Sequence, residues 1–192
     1  MNKAEIVRQR LRESIAVKQL LLEDEASITF LADMAEDMVT CLKNGGKIMF
    51  AGNGGSFADS IHLAGEFVSR FTLERAPIAG LALGANNSIL TAIGNDYTYA
   101  DVFVRELKAL GREGDIFLGI STSGNSPNIV ACMEAAQDMG ITCYGMTGSK
   151  ECRMDELGKC YKVPSPCTPR IQEAHITAGH IFCELVEHAL YG

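Results

Sequence analysis

The sequence predicts an α/β protein, a three-layer α/β/α sandwich around a five-stranded parallel sheet, preceded by two helices. Two observations carry this. From residue 46 onward, short apolar runs alternate with longer amphipathic ones. The short runs are apolar almost throughout, as strands are when both faces of a sheet are covered. Residues 47–51, 79–83, 115–120, 141–146 and 160–163 read as strands. Helices near 57–71, 87–109, 127–139 and 151–157 separate them, and a last helix runs from about 170 to 190. Ligands of such sheets bind at the carboxyl ends of the strands.

Ahead of the first strand, residues 4–22 and 25–43 carry apolar side chains at helical spacing: Ile6, Leu11, Ile15 and Leu20, then Leu31, Met34, Met38 and Leu42. Gly45-Gly46 ends the pair. With no strand between them, these helices must pack on the outside of the sandwich or on each other, which leaves apolar surface to cover. Residues 1–45 are therefore expected to serve in self-association, within a chain of one domain over 1–192. Val163-Pro164-Ser165-Pro166-Cys167-Thr168-Pro169 is the stiffest loop and sets where the final helix begins.

The 192 residues are 47% apolar and 21% charged, enough for one buried core. A net charge of −7 with scattered Lys and Arg offers no basic stripe for nucleic acid. An anionic ligand must then be held mostly by neutral donors. No window reaches the roughly 18 apolar residues of a membrane span, and Met1–Ile6 lacks the core of a signal peptide. The expected location is cytoplasmic. The seven cysteines form no C-x-x-C pair, so they read as reduced thiols, most of them buried as small hydrophobes.

Two strand-to-helix turns are rich in Gly and Ser: Gly52-Asn53-Gly54-Gly55-Ser56 and Ser121-Thr122-Ser123-Gly124-Asn125-Ser126. Such a turn aims backbone N–H groups and the positive end of a helix dipole at one spot, which suits a phosphate. The second loop adds four hydroxyls in six residues. Ser126 also reads as a helix N-cap before Pro127. The first loop lacks a complete G-x-G-x-x-G, which disfavours a dinucleotide. Gly94-Asn95-Asp96-Tyr97 reads as a helix stop and turn with polar groups within reach of a sugar.

His62 and Glu66 lie four apart on the helix opened by the first loop, so both leave one face. On the final helix, Gln172 and His180 differ by roughly 80° in azimuth and about 12 Å in rise, so both can border one cleft. Imidazole, carboxylate and amide oxygen together suit zinc or a similar divalent ion. The same spacing also fits a solvated His62–Glu66 pair and a hydrogen-bonded core His180. His188, beside Glu184 and Glu187, reads as a surface residue.

Taken together, five ordered strings resemble the phosphoheptose isomerases of the sugar-isomerase (SIS) domain family. They are Gly52–Ser56 with His62 and Glu66, Gly94–Asp96, Gly111–Asp115, Gly119–Ser126, and Arg170–His175 with His180. The resemblance implies a SIS domain, flavodoxin-like or Rossmann-like in topology. It implies a homotetramer that converts sedoheptulose 7-phosphate to D-glycero-D-manno-heptose 7-phosphate, the first step toward activated heptose for surface polysaccharide. Asn53, Gly54, Gly55, Asn95, Asp96, Ser121, Thr122, Ser123, Ser126 and Gln172 match the family's substrate contacts, with Ser56 and Glu66 beside them. His62, Glu66, Gln172 and His180 match its Zn2+ ligands, and Glu66 and His180 its acid/base pair. Where some members carry an Asp proposed to assist catalysis, this chain has Pro169, so that role is not transferred. A second reading is a catalytically silent SIS-domain regulator that binds the bacterial replication initiator. Those relatives lack the catalytic pair, so the presence of both Glu66 and His180 favours the enzyme. A third reading is action on another sugar phosphate, which the fold does not exclude.

Overall fold

The computed structural model describes residues 2–192. Strands β1 (Ile48–Gly52), β2 (Gly80–Ala82), β3 (Ile116–Ile120), β4 (Thr142–Gly148) and β5 (Lys159–Val163) form one parallel sheet in the order β2-β1-β3-β4-β5. Every residue of β1 and β3 is buried, which is why these segments show no polar alternation in the sequence.

Side chains still alternate between the two faces, and each face has its own core. Ile48 and Phe50, Ile116 and Leu118, and Tyr144 and Met146 pack against α2 (Glu25–Lys43), α3 (Gly55–Val68) and α7 (Thr168–Tyr191). Met49, Ala51, Phe117 and Cys143 pack against α4 (Asn87–Asp96), α5 (Val104–Leu110) and α6 (Pro127–Asp138). The expected three layers are present. Helix α1 (Lys3–Glu23) lies outermost, against α2 and α7, and buries only Val17. Its residues Ile6, Val7, Leu11, Ile15, Leu20 and Leu22 are exposed.

Three segments differ from the expectation. The helix expected over 87–109 is broken by a 3₁₀ turn at Tyr99–Asp101, because extended Thr98 and Asp101 cap each other and start a new turn. Residues 151–157 hold only a 3₁₀ turn, Arg153–Glu156, where Asp155 accepts the Cys152 N–H at 2.9 Å. The final helix starts at Thr168, with Pro169 in its first turn, where a missing N–H costs nothing. All seven thiols are free; Cys41, Cys132, Cys143 and Cys183 are buried, and Cys167 is exposed. Among the described residues no helix is long and apolar enough to cross a membrane.

Candidate active site

Both Gly/Ser loops leave the carboxyl edge of the sheet, from the adjacent strands β1 and β3. From β1 the chain proceeds to one side, to β2, and from β3 to the other, to β4. The crevice between the loops is thus the switch point at which open α/β sheets bind ligands. Asn53 of the first loop and Asn128 of α6 span it with reciprocal amide bonds of 2.9 and 2.8 Å. Tyr99 donates its hydroxyl to the same Asn53 oxygen at 3.0 Å. Two donors therefore occupy that oxygen, and the second Asn53 N–H has no partner among the described residues, which leaves it to donate to a ligand.

In the second loop, Ser121 is 4% exposed and centres a hydroxyl cluster, 2.9 Å from Ser126 Oγ and 3.4 Å from Ser123 Oγ. Ser126 occupies the N-cap position of α6, but its side chain makes no capping bond. The sequence expectation of a capping hydroxyl is corrected here, because the neighbouring hydroxyls compete for it. Gly124 has φ +65°, and a Cβ there would collide with the Cys152 sulfur, so only glycine fits this turn. Thr122 and Ser123, with Gly148, Ser149, Lys150 and Thr168, line a cavity of about 340 Å³.

The i, i+4 pair on α3 meets α7 at the surface. His62 Nε2 stands 2.9 Å from His180 Nε2 and 3.3 Å from Glu66 Oε1, and ligand atoms of the three side chains all lie within 4.8 Å of one another. The His62 side chain is 48% exposed, so the cluster is open to a ligand. The alternative of a separate surface pair and a core histidine does not hold, because the helices cross where these residues lie. Gln172 reaches the first loop from α7: a Cβ added to Gly55 would stand 2.7 Å from its Nε2. Glycine at 55 is what lets that amide approach.

Other expected residues stand apart. Gly94–Asp96 form the last turn of α4, which stops at Tyr97 as the sequence reading has it, and Asn95 bonds Asp96 at 2.8 Å and no other site residue. Gly54 is the N-cap of α3, and Ser56 is buried beneath the loop at 2% exposure. His175 turns away from the cluster, its Nε2 3.2 Å from the Thr147 carbonyl; burial pushes its pKa down to about 4. Sequence reasoning missed Asp59, three residues before His62 and hence on the same side of α3. Burial pushes its carboxyl up, opposed by His62 and His180, and its Oδ2 has no partner. Asn128, Tyr99 and Lys150 were also missed; only their position after strand ends could have marked the first and last.

The two Gly/Ser loops at the switch point define a protein that binds a small ligand at the carboxyl edge of its sheet. Residues 14–148 match the SIS domain, and the chain belongs to that family. It is 50% identical over 187 residues to phosphoheptose isomerase 2 of Campylobacter jejuni, covering 97% of this chain and 93% of that one. It is 50% identical over 186 residues to the phosphoheptose isomerase of Aneurinibacillus thermoaerophilus, covering 96% and 94%. The solved phosphoheptose isomerase of Francisella tularensis superposes with a TM-score of 0.92 at 30% identity, covering 98% of this chain and 100% of that one. That of Neisseria gonorrhoeae gives 0.89 at 39% identity, covering 97% and 100%.

Proposed function

We propose that this protein is an aldose–ketose isomerase converting sedoheptulose 7-phosphate to D-glycero-D-manno-heptose 7-phosphate, the first step toward ADP- or GDP-activated heptose for surface polysaccharide. The observation that carries the reading is the His62–Glu66–His180 cluster on a chain half identical to phosphoheptose isomerases over almost its full length. Nothing supports the regulatory reading. Product analysis on a panel of phosphorylated ketoses tests the proposal: turnover of another ketose in preference to the seven-carbon one overturns it.

The reaction removes a proton from C1 of the open-chain ketose, passes through an enediol and returns a proton to C2, while the hydroxyl proton moves from O1 to O2 as the carbonyl passes from C2 to C1. Glu66 is assigned the carbon proton and His180 the oxygens. One Glu66 oxygen faces His62 at 3.3 Å, which leaves the other for the substrate. The phosphate sits in the Ser121–Ser126 loop, with Asn53, Gly54, Gly55, Asn95, Asp96 and Gln172 toward the sugar. Replacing Ser123 by Ala raises KM, with a loss of about 1–3 kcal/mol in binding, because hydrogen bonds to a charged group are the stronger kind. Unchanged KM in the Ser121→Ala, Ser123→Ala and Ser126→Ala variants alike contradicts the assignment.

The donor set fits a divalent ion. Two imidazole nitrogens facing each other at 2.9 Å need a shared proton or a cation between them, and nitrogens on a tetrahedral Zn2+ stand about 3.3 Å apart. His62, Glu66, Gln172 and His180 would hold it, and when bound it supplies Lewis acidity toward the carbonyl oxygen. Metal analysis of protein purified without chelator is expected to show zinc, with occupancy lowered by His62→Ala.

The exposed apolar face of α1 fits a homotetramer assembled through residues 1–45, in the cytoplasm, where free thiols persist. Light scattering is expected to give four times the 20.7 kDa chain mass. A stable monomer at micromolar concentration contradicts it.

A further inference from the structure

Behind the His62–Glu66–His180 cluster lies a charge pair that the proposed chemistry does not use. Arg75 and Glu187 have side chains 1% and 0% exposed, joined at 2.7 Å. Glu187 is on α7, seven residues beyond His180 and so on nearly the same face of that helix. Its carboxylate gathers the N–H groups of Phe71, Thr72 and Leu73 at 2.9, 2.6 and 2.9 Å, and the Thr72 hydroxyl at 2.7 Å. Arg75 faces the other way. Its guanidinium donates to the carbonyls of Glu66 and Phe67 at 2.8 and 2.9 Å, the last turn of α3.

These contacts tie the end of α3 to α7 about two turns beyond His180. Arg75 satisfies carbonyls at the end of α3 that the helix leaves unpaired, Glu66's own among them. Glu187 fixes the loop that returns from α3, and that loop lays the Phe71 ring on the His180 imidazole, with centroids 5.6 Å apart. We propose that the Arg75–Glu187 pair is a positioning clamp that sets the separation of Glu66 from His180. Neither residue touches substrate; both act through the two that do. The proposal rests on the reading of Glu66 and His180 as the acid/base pair.

A purely structural ion pair predicts a different outcome, and the chain contains a second pair for comparison. Lys47 and Asp115 form a partly buried pair at 2.5 Å at the amino edge of the sheet, opposite the site. Arg75→Lys keeps the charge but loses the planar fork, so Glu66 and His180 shift relative to each other. With sedoheptulose 7-phosphate, kcat is expected to fall about 10–100-fold with KM nearly unchanged, since a displacement of about 1 Å can cost about a hundredfold in rate. Asp115→Asn is expected to lower the melting temperature while kcat, measured well below it, stays at the wild-type value. Should Arg75→Lys fail to fold, Thr72→Val removes a single bond to Glu187 and is expected to lower kcat severalfold in the same pattern. Wild-type kcat in a folded Arg75→Lys or Thr72→Val variant overturns the clamp, and so does a loss of kcat in Asp115→Asn that matches theirs. Failure of the underlying reading is seen separately, as full activity in Glu66→Gln.

Discussion

Replacing Glu66 by Gln lowers kcat by roughly 10²–10⁴, the usual worth of a positioned acid or base, while sedoheptulose 7-phosphate still binds. The substitution keeps the side chain's shape and an oxygen for a metal but removes the group proposed to accept the carbon proton. His180→Gln is expected to act similarly. If the two residues work as a unit, the double variant loses less than the product of the single losses. Solvent deuterium incorporation next to the carbonyl, read by NMR, separates proton abstraction from binding. Exchange and isomerisation at the wild-type rate in Glu66→Gln would remove this residue from the mechanism.

Acid weakens the fold in two stages. His175 is 1% exposed, and burial lowers its pKa from 6.5 to about 4. Between those values the unfolded chain binds a proton that the folded one refuses, so stability falls as pH falls through this window. Each tenfold difference in proton affinity between the two states is worth about 1.4 kcal/mol, so the loss approaches roughly 3 kcal/mol by pH 4. Glu187 then adds to it. Burial alone pushes its carboxyl up, but the Thr72 hydroxyl and the N–H groups of residues 71–73 outweigh that and hold it well below the ordinary 4.5. Its contribution is present above that value and is lost as pH falls below it. Calorimetry from pH 7 to pH 4 is expected to show a falling melting temperature, with a shallower slope above pH 4.5 in His175→Asn. Equal melting temperatures at pH 7 and pH 5 contradict a neutral buried His175.

The strands were legible because β1 and β3 are covered on both faces, so their apolar runs are uninterrupted. The two loops and the His62–Glu66 pair were legible for local reasons too: small residues at a strand end, and i, i+4 spacing on one helix. What escaped depends on chain segments meeting in space. Asn128 and Tyr99 acquire their roles only when α6 and the 3₁₀ turn come to Asn53. Glu187 sits beside His188, which is exposed as expected, yet it is itself fully buried, because its partners lie more than a hundred residues away. The Ser126 hydroxyl went the other way: a local capping pattern was present, and tertiary neighbours claimed the group. The break before Thr98 was marked locally by Gly94-Asn95-Asp96-Tyr97, although the apolar pattern continues on both sides of it.

The last element, α7, supplies Gln172, His180 and Glu187, and His62 waits 118 residues for its partner. During synthesis the sheet's first three strands and both anion loops emerge well before this helix does. A nascent chain therefore holds Glu66 without His180, one half of the proposed acid/base pair. The proposed pair is completed in a single late event, when α7 docks, and the same event closes one face of the core with Ile171, Ala174, Ala178, Phe182 and Val186.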